Sequence, residues 1–152
     1  MVTLRAEERL AIVARLPSTR RLGAQERLRL AREILLAYTQ ARKALRRAPI
    51  DAAVRSLRAD FSTAARADAS DLSEAHRLGR AVERTLRLLP GDTRCLARSL
   101  VLTRLLARRG IPGRLVIGAR TEPAFLAHAW VECLGEAVLP PGDGSFARLV
   151  EL

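Results

Sequence analysis

Residues 91–100 read GDTRCLARSL and place a thiol, Cys95, at the start of a predicted helix. Asp92 or Thr93 is a good N-cap for this helix, and Gly110 is the residue expected just past its end. The positive end of the helix dipole and the unpaired N–H groups of the first turn favour thiolate, the nucleophilic form of sulfur. Cys95 is therefore a candidate nucleophile.

A histidine, His128, lies downstream in the apolar run FLAHAWVE, which predicts a β-strand. Side chains alternate along a strand, so His128, Trp130 and Glu132 share one face. Cys133 then points to the other face and is expected to be a small buried hydrophobe. Cys95 is therefore the thiol from which His128, acting as a base, is expected to take a proton.

A carboxylate that orients the histidine is the third member of such a site. A two-residue hairpin at Leu134-Gly135 would place Asp143 within diagonal reach of the His128 ring. Asp143 is therefore the first candidate for the acid, Glu132 the second and Glu136 the third.

Composition narrows the class of protein. The chain has 152 residues, of which 49% are apolar and only 3% aromatic, so a globular interior must be built mainly from aliphatic side chains. We find no run of about 18 apolar residues that would span a membrane and no signal-peptide layout. The absence of both predicts a cytoplasmic protein. Two cysteines without a CxxC or a His/Cys cluster predict free thiols and no metal site, and we expect no cofactor.

The first ninety residues are predicted to be helical and the remainder mixed. Apolar stripes predict helices over residues 3–16, about 24–47, 50–59 and 71–89, the last one capped by Asp71. Beyond the Cys95 helix, β-branched residues predict strands over 114–118, around His128 and over 137–139. We therefore expect an α+β fold with two regions, an N-terminal helical region over 1–90 and a catalytic core over 91–152.

The charge is strongly basic and uneven. The net charge is +11, and residues 1–50 contribute twelve basic and four acidic residues. This basic N-terminal region is suited to attract an acidic polypeptide or nucleic acid. Tyr38 is its lone aromatic residue and it contains no nucleic-acid-binding motif, so we prefer a protein-docking surface to a nucleic-acid-binding one.

Four motifs in order resemble one family. DTRCLARSL, RRGIP, LVIG and AHAWVE, within about residues 90–139, are similar to the transglutaminase-like leader peptidases of lasso peptide biosynthesis, the B2 proteins. The resemblance implies a transglutaminase-like or papain-like cysteine protease core, in which a Cys helix packs on a small antiparallel sheet. In that reading Cys95 is the nucleophile and His128 the base. The family's acid aligns with Pro140, so either Asp143 replaces it after a local shift or the site is a Cys-His dyad.

The same resemblance implies a function. The substrate would be a ribosomally made lasso precursor peptide, cut between leader and core. A separate leader-recognition protein and an asparagine-synthetase-like cyclase would be its partners. From the residues themselves we expect neither a nucleic-acid partner nor a membrane span. An acyltransferase with the same Cys-His site is the alternative, because hydrolysis and ligation share an acyl-enzyme.

Overall fold

The computed structural model describes residues 23–59, 61, 68–89 and 95–152. The helix expected over 3–16 lies outside these residues. Within the described part of the chain, helices precede strands. The elements are α1 (Ala24–Arg47), α2 (Ile50–Arg58), α3 (Ala69–Leu86), α4 (Cys95–Arg108), β1 (Arg114–Arg120), β2 (Leu126–Cys133), β3 (Glu136–Ala137) and β4 (Ala147–Glu151).

The bounds of the first two helices match those predicted from the apolar pattern. α1 and α2 have the predicted bounds to within a residue or two, and α1 buries a stripe at helical spacing that includes Leu30, Ile34 and Ala41. The prediction that Asp71 caps α3 was wrong. The carboxylate of Asp68 accepts hydrogen bonds from the N–H groups of Ser70 and Asp71, and Asp71 bonds back to the Asp68 N–H. This capping box starts the helix earlier than expected.

α4 is buried around most of its circumference, as its sequence predicted. Leu100, Leu102 and Leu105 are all fully buried. The helix ends in a Schellman motif at Gly110, whose φ of 68° is left-handed and whose neighbour Ile111 donates to the Leu106 carbonyl. β1 starts at Arg114, as predicted, and continues two residues beyond the predicted end at 118.

The strands form one antiparallel sheet in the order β3-β2-β1-β4. β1 and β2 pair with Gly118 opposite His128. The predicted two-residue hairpin joins β2 to β3, and both of its residues have positive φ, 53° at Leu134 and 79° at Gly135, as a type I′ turn requires. β3 is shorter than the expected 137–139 strand, and β4 was not predicted. The fold is thus a helical layer on a small antiparallel sheet, an α+β arrangement.

One hydrophobic core joins the helices to the sheet. It includes Ile34 of α1, Val54 of α2, Leu78 of α3, Leu105 of α4 and Val131 of β2. The division at residue 90 stays a prediction, and the packing runs continuously across it. Among the described helices, none has the length and apolar character needed to cross a bilayer.

Candidate active site

Cys95 is the first residue of α4, and its side chain is half-buried. The N–H groups of a first helical turn have no partner within the helix, and they point toward whatever lies at the helix start. The expected capping residues, Asp92 and Thr93, lie outside the described residues.

Ser99 joins the cysteine helix to the histidine strand. It lies four residues after Cys95, on the same face of α4. Its hydroxyl is fully buried and donates a hydrogen bond of 3.0 Å to the carbonyl oxygen of Ala129. Ala129 follows His128 in β2. The first two turns of α4 therefore lie against the part of β2 that carries His128.

The His128 ring is held by three neighbours. Its Nε2 atom lies 2.9 Å from the carbonyl oxygen of Pro140. The Trp130 ring stacks beside it with the ring centroids 6.0 Å apart and the planes at 19°. Phe146 contacts it at a tilt, with a centroid separation of 5.2 Å. The half-buried imidazole is thus fixed in position by one polar and two aromatic contacts.

Glu132, the second candidate acid, is bonded to Trp130 and Arg148. The Trp130 indole donates to it at 2.8 Å, and the Arg148 guanidinium donates at 2.6 Å. Glu132 is only 8% exposed, so these partners offset much of the cost of burying its charge. The shared face of His128, Trp130 and Glu132 agrees with the strand prediction, but the carboxylate contacts the indole next to the imidazole.

Asp143, the first candidate acid, lies in the loop that leads to Phe146. Its carboxylate accepts a hydrogen bond of 2.7 Å from Arg120 and further bonds from the N–H and hydroxyl of Ser145. The bonds from Ser145, followed by the charge of Arg120, lower the pKa of Asp143 below its usual range. The role of Asp143 as the catalytic acid stays a prediction.

The remaining candidates lie apart from the His128 ring. Glu136, the third candidate acid, has its carboxylate 3.8 Å from Nε2 of His76. Cys133 is 1% exposed, and the prediction that it is a small buried hydrophobe is confirmed. Burial raises the pKa of its thiol, and the charges of Asp71 and Glu136 add to this effect. A thiol in that state is a poor nucleophile.

Sequence reasoning missed Phe146 and Ser99, and it named Pro140 only as the position that aligns with the family's acid. A sequence signal for Pro140 did exist, because two consecutive prolines lack N–H groups and must end the pairing of a strand with β2. Nothing in the sequence indicated that the freed carbonyl would meet His128. Across the described residues, no group of three or more His, Cys, Asp or Glu side chains lies close enough to hold a metal ion.

Comparisons with known proteins found similarities to a family model and to a peptide-processing protein. The family model of the transglutaminase-like superfamily matches residues 34–151. The microcin J25-processing protein McjB of Escherichia coli is 48% identical to this chain over 44 residues, which are 29% of this chain and 21% of McjB. No solved structure matches the chain significantly. Both matches support the resemblance to lasso-peptide B2 proteins, and the extent of the family match shows that the chain belongs to the transglutaminase-like superfamily.

Proposed function

We propose that this protein is a cysteine peptidase that removes the leader from a ribosomally made lasso peptide precursor. The observation that supports this proposal most is the hydrogen bond from Ser99 to Ala129. It holds the first turns of α4, which begin with Cys95, against the strand that carries His128. The similarity to McjB, a processing protein for microcin J25, supports a peptide precursor as the substrate.

In the first step, the Cys95 sulfur attacks the carbonyl carbon at the junction of leader and core. His128 takes the thiol proton, and the electron pair of the carbonyl moves to its oxygen. The N–H groups at the start of α4 are suited to stabilise that oxyanion. The resulting tetrahedral intermediate holds leader, core and enzyme together.

In the second step, the C–N bond breaks and His128 returns its proton to the leaving amine of the core peptide. The leader remains on Cys95 as a thioester. A water molecule then gives a proton to His128 and attacks the thioester carbonyl, which releases the leader acid and regenerates the thiol. One peptide and one water thus give two fragments.

The partners belong to the same proposal. A leader-recognition protein would present the precursor, and an asparagine-synthetase-like cyclase would use the freed core. The exposed side of α1 is the proposed docking surface, since Arg29, Arg32 and Arg46 are exposed on it together with Leu28 and Leu36. Arginines next to exposed leucines suit an acidic, partly apolar partner.

The test is a purified assay with precursor, recognition protein and this enzyme. We expect Cys95→Ala to abolish cleavage and Cys133→Ala to retain it, so that the buried thiol serves as the matched control. Full cleavage by Cys95→Ala would rule the proposal out. The product mass also separates the alternative, because an acyltransferase gives a product lighter by ammonia or water where a peptidase gives two fragments.

A further inference from the structure

The contact between His128 and Pro140 has a consequence for the chemistry of the site. A carbonyl oxygen can only accept a hydrogen bond, so at 2.9 Å the Nε2 atom of His128 must carry a hydrogen. In a neutral imidazole the other nitrogen, Nδ1, then has the free electron pair. We propose that the main-chain carbonyl of Pro140 is the positioning group that holds His128 in this tautomer, with Nδ1 as the base for Cys95, in the place that a carboxylate would otherwise occupy. The inference rests on the proposed Cys-His site.

The position of the Pro140 carbonyl is fixed by the two residues that precede it. Just before it, the N–H groups of Val138 and Leu139 both donate to the carbonyl of Val131, at 2.8 and 3.4 Å. The side chains of Val138 and Leu139 are buried in the core. Pro140 follows directly, so its position is set by two backbone bonds and two packed side chains.

The prolines explain why this oxygen meets a side chain. Neither Pro140 nor Pro141 has an N–H, so the chain cannot continue the ladder with β2 beyond Leu139. The segment leaves the sheet at the level of His128, and the Pro140 carbonyl faces the imidazole. A backbone acceptor needs no side-chain rotamer to be frozen, which favours it as an orienting group.

The carboxylates of the region have other partners. Asp143 is bonded to Arg120 and Ser145, and Glu132 is bonded to Trp130 and Arg148. Since His128 Nε2 faces Pro140, the site is a Cys-His pair with a neutral orienting group.

A semisynthetic protein tests the proposal. Cys133 is a natural ligation point, so a synthetic segment 133–152 can be joined to expressed 1–132. Replacing Pro141 by lactic acid turns the bond after Pro140 into an ester, whose carbonyl is a weaker acceptor than an amide. The matched control is the same protein with Pro141→Ala, which retains the amide.

The readout is the rate at which iodoacetamide alkylates Cys95, with Cys133 buried in both proteins. We expect the ester protein to react about fivefold more slowly than its control, the effect of one weakened hydrogen bond. Equal rates would overturn the proposal. Alkylation needs no peptide substrate, so this outcome is independent of whether the protein cleaves a lasso precursor.

A second measurement does not depend on the folding of the ester protein. Long-range proton–nitrogen NMR of histidine-labelled Cys95→Ala protein, at a pH where imidazole is neutral, reports the tautomer of His128, with His76→Gln to assign the signals. We expect the proton on Nε2 and slower exchange of that proton than of the ring proton of His76. A proton on Nδ1, or exchange as fast as that of His76, would overturn the proposal.

Discussion

The hydroxyl of Ser99 donates to the carbonyl oxygen of Ala129 at 3.0 Å, and this bond fastens the helix of Cys95 to the strand of His128. Removing the Ser99 hydroxyl deprives the buried carbonyl oxygen of Ala129 of this hydrogen-bond donor. We expect Ser99→Ala to lower the free energy of unfolding by about 1–3 kcal/mol and to slow the alkylation of Cys95, because the first turns of α4 lose their hydrogen bond to β2.

The control variant for Ser99→Ala is Thr103→Ala, since Thr103 has another buried hydroxyl in α4. It donates at 2.9 Å to the carbonyl of Ser99, within the helix. Thr103→Ala should lower stability in urea denaturation without slowing the alkylation of Cys95. Equal slowing in both variants would show that the bond to Ala129 has no special part in positioning the thiol.

At Gly79, helix propensity and packing predict effects of opposite sign on the stability of a Gly79→Ala variant. A methyl group added at Gly79 would lie 2.9 Å from the carbonyl oxygen of Val138. This distance is shorter than a normal van der Waals contact, so the backbone segment that leads to Pro140 would have to shift. Helix propensity alone predicts that Gly79→Ala stabilises the protein by about 1 kcal/mol. We expect a loss of about 1–3 kcal/mol from overpacking, measured by urea denaturation. A gain in stability would show that Val138 moves aside freely.

The bonds of Asp143 predict a dependence of stability on pH. Ser145 and Arg120 hold the pKa of Asp143 below its ordinary value of 3.8. Their stabilising effect is therefore present above that value and is lost as the pH falls through the lowered pKa. We expect wild type to be more stable than Asp143→Asn at neutral pH, with the difference shrinking toward pH 3 in urea denaturation. A difference that stays constant with pH would contradict this assignment.

Much of this fold could be predicted from residue patterns. The bounds of α1, the burial of α4 and the hairpin at Leu134-Gly135 follow local rules of periodicity and turn chemistry, and the structure confirms them. The face that α1 buries was predicted wrongly, because the stripe was started at Leu28, which is 73% exposed, whereas Leu30 and Ile34 are buried. β4 could not be predicted in this way. All five residues of Ala147–Glu151 are exposed, and the strand forms because the edge of β1 offers it hydrogen bonds. An exposed edge strand of this length has no apolar alternation to reveal it.

The surroundings of the candidate site were predictable to a lesser degree. The thiol and the imidazole belong to recognisable local patterns, a helix start and an apolar strand. The partner of the imidazole depends on where the chain goes after Leu139, a tertiary property. Diagonal reach across an ideal hairpin favoured Asp143, whereas the two prolines end the ladder and bring the Pro140 carbonyl to the ring.

The basic face of α1 is tested by charge reversal. Deleting α1 is unsuitable, since Ile34 and Ala41 of this helix are completely buried in the core. We expect the double variant Arg29→Glu and Arg32→Glu to weaken binding of the recognition protein or leader at least about tenfold at low salt, measured by titration calorimetry. Alkylation of Cys95 should stay unchanged. The matched control reverses Arg84 and Arg87 of the α3 end, and equal weakening there would point to a general charge effect.

In the proposed reaction, the sulfur of Cys95 attacks the carbonyl at the junction of leader and core. A synthetic leader that ends in a vinyl sulfone at this position traps the attacking thiol in the presence of the recognition protein, and mass spectrometry locates the adduct. We expect one adduct on Cys95, formed in Cys133→Ala, absent in Cys95→Ala and at least about tenfold slower in His128→Ala. Undiminished labelling of Cys95→Ala, or an adduct on Cys133, would contradict it.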